Sequence, residues 1–335
     1  MIKIALIGYG YWGPNLLRNF NKHESCEVVA VVERRKEIHQ KVVSAFPLVQ
    51  CFEDFDEALA AISIDAVIIA TPVHSHYPLA KKSLLAGKHV LIEKPMTSSS
   101  IEAEELIAIA DSRNLTLMVD HTFLYTGAVE KMRQLIGNGE IGKPKYFDST
   151  RINLGLFQPD VNVLWDLAPH DISILTYLIP FKPISVNAVG ICHTSNNIEN
   201  IAYLTVNFEE DFIAHFNCSW TSPVKVRSTL IGGENKMLVY NDLEPSEKVR
   251  IYNTSFTHRV LEEERNQLMV DYRTGDVFIP KLDSTEALFG VANDFIHSIK
   301  QNSTPRASKE LGLLVVRILE AAQKSIKNNG EKVNL

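Results

Sequence analysis

Five short apolar runs rich in β-branched residues punctuate the first third of the chain: Ile2–Ile7, Glu27–Val32, Ala66–Ala70, His89–Ile92 and Leu115–Val119. Stretches of helical character separate them, at Asn15–Asn21, Asp56–Ile62, Pro78–Ala86 and Ser100–Arg113. Pro14 falls where a helix start tolerates a missing N–H. Unbroken apolar runs alternating with helices predict a parallel, doubly wound sheet. Right-handed crossovers then leave few topologies. After about residue 122 the period changes. A helix at Ala128–Gly137 leads into segments that alternate, most clearly Phe212–Trp220, where Phe, Ala, Phe, Cys and Trp share one face. Tyr146–Leu154, Ser185–Cys192, Ala202–Phe208, Lys225–Ile231 and Lys236–Tyr240 read the same way. Alternation with one apolar face is the signature of antiparallel sheet. Two helices close the chain, Glu286–Lys300 and Ser308–Lys327. The expected fold class is α/β, with a doubly wound parallel domain over 1–122 and an α+β domain over 123–335 built on a large, mostly antiparallel sheet.

At 335 residues, 45% hydrophobic and 22% charged, the chain has enough apolar content for two cores. Its net charge of −6 argues against nucleic acid or an anionic membrane as partner. Four scattered cysteines without paired spacing give neither a disulfide frame nor a zinc site, so no metal is expected. The amino terminus enters a strand pattern directly, and no run reaches the ~20 apolar residues of a membrane span. A soluble, cytoplasmic protein is expected.

The chemistry lies at the ends of the strands. Gly8-Tyr9-Gly10-Tyr11-Trp12-Gly13 follows the first run and opens a helix, the context in which a glycine loop holds a dinucleotide. The helix amino terminus then offers its N–H groups to the pyrophosphate. Glu33, 20 residues past Gly13, is placed to accept the adenosine ribose hydroxyls, which favours NAD. Arg34 and Arg35 follow it, and either could meet a 2′-phosphate, which keeps NADP as the alternative. Thr71 and Pro72 should pack beside the dinucleotide. His74 lies in the same loop, and His76 would reach the nicotinamide ribose. Lys94, after the fourth run, points into the same crevice, where it would hold a substrate hydroxyl with Glu93 orienting it. Asp166 and His170 are spaced to share one helix face. Asp166 is there a helix cap or the support of a general base, and His170 first-turn decoration or that base.

In this order, Gly8–Gly13, Ala70-Thr71-Pro72 with His76, Glu93-Lys94-Pro95 and Asp166-x-x-x-His170 resemble the Gfo/Idh/MocA oxidoreductase family along nearly the whole chain. The resemblance implies a Rossmann domain, a second domain whose open sheet often forms the oligomer interface, and a cis Lys94–Pro95 bond. It also implies Lys94, Asp166 and His170 at the reacting carbon of a sugar or polyol. GYGYWGPNLLRNF, HTFLYTGA and RINLGLFQPDVNVLWDLAPHD look like a nucleotide-sugar subgroup whose members include proteins similar to UDP-N-acetylglucosamine 3-dehydrogenases. Tyr125, Arg151, Asn153, Asn162 and Trp165 lie in these stretches and suit a sugar or its diphosphate. Asp120 stands where relatives are expected to carry glycine. The resemblance implies a homodimer or homotetramer, and the Phe212–Trp220 face is either core or subunit contact. Keto-sugar reduction, polyol oxidation and a non-catalytic dinucleotide-bound sensor are the competing functions.

Overall fold

Ile4, Leu6, Val28, Val31, Val67 and Ile68 are each at most 2% exposed. The early apolar runs therefore bury both faces of one sheet, as parallel strands covered by helices must. A computed structural model describes residues 1–155, 157–253, 255–259, 269–273 and 275–335. Its strands β1 (Ile2–Ile7), β2 (Cys26–Val32), β3 (Gln50–Phe52), β4 (Ala66–Ile69), β5 (His89–Glu93) and β6 (Leu117–Asp120) line up in the order β3-β2-β1-β4-β5-β6. All five pairings are parallel. The crossovers run through α1 (Gly13–Asn21), α2 (Lys36–Ala45), α3 (Phe55–Ala61), α4 (His76–Leu85) and α5 (Ser100–Ser112). Sequence pattern does not announce α2 or β3. Only Val42 is buried within α2, and β3 is a three-residue edge strand with no buried residue. Neither carries an apolar stripe to read.

Gly127–Gly137 forms α6, and β7 (Pro144–Leu154) begins a second sheet. The helix α7 (Val163–Leu178) precedes β8 (Pro183–Ile191), β9 (Ile201–Phe208), β10 (Ile213–Ser219), β11 (Thr221–Gly233), β12 (Met237–Asn241) and β13 (Val249–Tyr252). Strands β14 (Ser255–Arg259) and β15 (Met269–Arg273) pair with each other, and β16 is Val277–Phe278. The chain ends in α8 (Ala287–Gln301), α9 (Lys309–Lys327) and β17 (Val333–Asn334). Nine strands join as β16-β13-β12-β11-β7-β10-β9-β8-β17, antiparallel except for the β7–β10 pair. Phe212, Ala214, Phe216, Cys218 and Trp220 are at most 5% exposed, and α7 packs on β10. That face is core, so it is not an oligomer contact.

Contact density divides the chain into Met1–Thr126 with Thr285–Arg317, and Gly127–Ser284 with Ile318–Leu335. A single boundary at 122/123 misses this return. Residues 285–317, expected in the carboxyl-terminal domain, belong with the parallel sheet.

Helix α7 begins earlier than its apolar pattern indicates. Asn162, not Asp166, is its cap: Oδ1 accepts the N–H groups of Leu164 and Trp165 at 3.1 and 3.2 Å. Its Nδ2 donates to Glu199 and Gln323 at 3.0 and 2.6 Å. Pro169 consequently lies inside the helix, past the first turn. The helix is held to β7 by a bidentate pair in which Arg151 Nε and Nη2 donate to Asp171 Oδ2 and Oδ1, both at 2.7 Å. Each side chain is 4% exposed. Removing one partner of so buried a pair strands the other charge. Asp171→Ala should therefore lower unfolding free energy by roughly 3–5 kcal/mol, read as a fall in the urea midpoint.

Candidate active site

Parallel strands all point the same way, so their carboxyl ends share one edge, and Gly8, Glu33, Thr71, Lys94 and Asp120 stand along it. Gly8 has φ +91°, and a Cβ there would lie 2.6 Å from the Ala70 carbonyl oxygen. Only glycine allows β1 to end this close to β4. A Cβ on Gly10 would meet nothing within 4 Å, so the loop faces open space where a pyrophosphate needs room. No side chain caps α1, and Pro14 stands in its first turn. Its amino terminus thus keeps the character of an anion site. Tyr11 and Trp12 are exposed and meet edge to face at 5.4 Å.

A cavity of about 780 Å³ opens beside this loop, lined among others by Gly10, Glu33, Arg34, Thr71, Pro72 and His74. Glu33 is fixed by four N–H donors. Tyr9 N–H reaches Oε2 at 3.0 Å, Arg35 N–H reaches Oε1 at 3.1 Å, and the Arg35 guanidinium bonds both oxygens at 2.9 Å. These bonds, Arg35 foremost, lower its pKa to about 2. An ionised carboxylate in that place accepts ribose hydroxyls and repels a 2′-phosphate. Arg34 and Arg35 both line the cavity, and Arg35 is engaged with Glu33. The residues present therefore fit NAD.

His76 is not the ribose contact the sequence predicts. It is 1% exposed, with Nδ1 2.9 Å from the Pro95 carbonyl and Nε2 2.8 Å from the Thr71 carbonyl. Its ring ties the loop after β4 to the turn after β5. Burial holds its pKa below the ordinary value, although both carbonyls favour the protonated ring.

At the end of β5, Glu93 stands in register with Asp120 on β6. The Lys94 N–H donates to Glu93 Oε2 at 3.2 Å, and the Lys94–Pro95 peptide is cis, as the resemblance implies. Burial, and then the Asp120 charge, raise Glu93 well above the carboxylate range. Burial pushes Asp120 up to about 6, even though the Thr122 hydroxyl donates to Oδ1 at 2.7 Å. Asp120 Oδ2 and both ring nitrogens of His121 are buried without hydrogen-bond partners among the described residues. Burial, helped by the Lys94 charge, lowers His121 to about 3. Asp120 continues an ordinary strand, so replacing glycine has not strained the backbone. Sequence pattern singles out Asp120 only for its backbone and passes over His121, because the fifth apolar run ends at Val119.

Asp166 and His170 lie in α7, in the second unit. Both are half-buried, as are Asn153 and Trp165. Trp220 Nε1 donates to Asp166 Oδ2 at 2.9 Å. Three of the residues expected at the sugar are committed elsewhere. Arg151 pairs with Asp171, and Asn162 spends its amide on the α7 cap and its two neighbours. Tyr125, in the first unit, is 8% exposed. Its hydroxyl donates to Asp294 at 2.6 Å and accepts the Ala307 N–H at 3.2 Å. The Arg306 guanidinium lies over its ring at 4.8 Å.

Residues 2–121 match the family model described as the oxidoreductase family with NAD-binding Rossmann fold, Gfo/Idh/MocA. Residues 129–239 match the Gfo/Idh/MocA carboxyl-terminal domain. A UDP-N-acetylglucosamine 3-dehydrogenase of Acidithiobacillus ferrooxidans is 30% identical over 210 residues, 62% of this chain and 64% of that enzyme. The match thus spans just under two thirds of its length. A scyllo-inositol 2-dehydrogenase (NADP⁺) of Bacillus subtilis is 22% identical, covering 97% of this chain and 94% of that one. The solved structure of the Acidithiobacillus enzyme superposes with a TM-score of 0.82 at 22% identity, covering 98% of both chains, which establishes likeness of fold.

Glu33→Ala should weaken NAD binding about 10- to 100-fold, the worth of hydrogen bonds to a charged group. It should also improve NADP binding, both read by fluorescence titration. Asp120 gives a pH test. Its folded pKa of about 6 exceeds its ordinary 3.8, so its cost to stability grows as pH rises through that window and is constant above it. The melting temperature of Asp120→Asn relative to the parent should rise between pH 4 and about 6 and then level off.

Proposed function

The chain belongs to the Gfo/Idh/MocA family of NAD-binding oxidoreductases, and from that premise we propose that it oxidises a ring hydroxyl of a nucleotide sugar to the ketone, at C3 of UDP-N-acetylglucosamine. The observation that carries the substrate is the 30% identity to the Acidithiobacillus 3-dehydrogenase. NAD, when bound, supplies the hydride acceptor. The chain supplies the proton path. Lys94 donates a hydrogen bond to the substrate hydroxyl oxygen and holds its carbon in place. A ring nitrogen of His170 takes the hydroxyl proton as hydride leaves that carbon, so the alcohol never becomes a protonated carbonyl. Asp166 stabilises the imidazolium that results. Half-buried Asn153 and Trp165 are assigned to the sugar. Half-buried Glu93 and buried Asp120 stand beside Lys94 in sequence and register, and we assign them to fixing its ammonium.

The full-length match to the inositol enzyme favours a second reading, in which the same groups act on a free polyol or in the reverse direction on a keto sugar.

Absorbance at 340 nm separates them. NADH should appear with UDP-N-acetylglucosamine and not with inositol, and the opposite pattern would sink the nucleotide-sugar reading. Lys94→Ala and His170→Ala should each cut kcat by about 10²–10⁴-fold while NAD affinity changes less than about threefold. Undiminished turnover in both variants would remove these residues from the mechanism.

A further inference from the structure

Trp220 occupies the corner between β10 and β11 and is 1% exposed. An indole buried that deeply needs an acceptor for its single polar hydrogen. It finds one 54 residues back, in Asp166 Oδ2 at 2.9 Å. The residue is gripped from several sides. Its N–H donates to the Asn200 carbonyl and its carbonyl accepts the Gly155 N–H, each at 3.0 Å. The Phe157 ring stacks on it at 5.6 Å with an interplanar angle of 28°. Gly155 is bare at the point of contact: a Cβ there would lie 3.2 Å from Trp220 Cδ1 and 2.7 Å from Asn153 Nδ2. The indole cannot swing without displacing these neighbours, so its N–H is a fixed donor.

We propose that Trp220 is a positioning residue for the proton transfer: it fixes the Asp166 carboxylate, one turn before His170 on α7. The inference rests on the dehydrogenase reading, in which His170 takes the hydroxyl proton. The choice of donor is itself informative. Asp171, in the same helix, is held by the guanidinium of Arg151, which neutralises it. Asp166 Oδ2 is held by a neutral N–H, which sets the orientation of the carboxylate. A carboxylate accepts from more than one donor, so the indole does not exhaust it.

Trp220→Phe keeps an aromatic ring beside Phe157 and removes the donor. Loss of one indole N–H resonance in that variant identifies Trp220 by ¹⁵N–¹H spectroscopy. In the parent protein that resonance should shift in Asp166→Ala, which needs no substrate. With UDP-N-acetylglucosamine and NAD, Trp220→Phe should lower kcat roughly 10- to 100-fold, the scale of a hydrogen bond to a charged group. The NAD dissociation constant should change less than about twofold. In the Asp166→Ala background, Trp220→Phe should cost nothing further. An indole resonance indifferent to Asp166→Ala overturns the inference, and so does an equal kcat loss with and without Asp166. If Trp220→Phe does not fold, selective labelling of each tryptophan assigns the resonance, and its response to Asp166→Ala decides. A parent protein inert toward UDP-N-acetylglucosamine, whose indole resonance still shifts in Asp166→Ala, overturns the substrate reading and supports the positioning bond.

Discussion

The reversal of strand order between β1 and β4 is the constraint on which the candidate site depends. To either side of it the chain leaves the sheet in opposite directions, so the carboxyl edge opens there into a crevice. The opening survives only if the two strand ends come close behind it. Gly8 permits this, since any Cβ would press on the Ala70 carbonyl. Parallel pairing does the rest. Because every strand runs the same way, the ends of β2, β5 and β6 deliver Glu33, Lys94 and Asp120 to the same edge without any long-range signal in the sequence.

Two kinds of buried charge follow from that architecture, and they differ in how the cost of desolvation is met. Arg151 and Asp171 lose water together and replace it with two charge-assisted bonds, which leaves a brace between β7 and α7. Glu93 and Asp120 lie side by side with the same sign, so desolvation is answered by raised pKa values. His121 answers it in the opposite direction, by remaining neutral. A pair of carboxyls and a neutral imidazole next to Lys94 is an expensive arrangement for a framework. Such perturbed groups gathered together are characteristic of sites that move protons.

The chain's strands and long helices were legible because burial dictates their pattern. Ile4, Leu6, Val67 and Ile68 must be apolar wherever the sheet sits. Short peripheral elements, α2 and β3, carry too little buried surface to leave a trace. The glycine loop, Glu33 and Lys94 could be read as candidates since their chemistry needs one residue type at one strand end. Tyr125, Arg151 and Asn162 were misassigned for a common reason: a polar side chain in a suggestive stretch does not reveal which way it faces. Their partners, Asp294, Asp171 and Gln323, lie 169, 20 and 161 residues away. Trp220 escaped notice from the other side, as an apolar residue on a core face whose one polar atom carries its meaning.

The same distinction separates what the site does from what it acts on. Removing hydride and proton from a hydroxyl requires a donor to the oxygen, a base and a support for the base, whatever ring carries the hydroxyl. Choosing a nucleotide sugar over inositol requires recognition of a diphosphate, for which a cation with free donors is the natural partner. Arg151 was the natural candidate, and its bidentate bond to Asp171 withdraws it. On the nucleotide-sugar reading proposed above, diphosphate recognition would fall to other donors, and backbone N–H groups serve as well as guanidinium in that role. A sequence does not advertise such donors, because every residue except proline carries one. Reaction class was consequently readable from side-chain motifs, whereas a preference for one substrate was not.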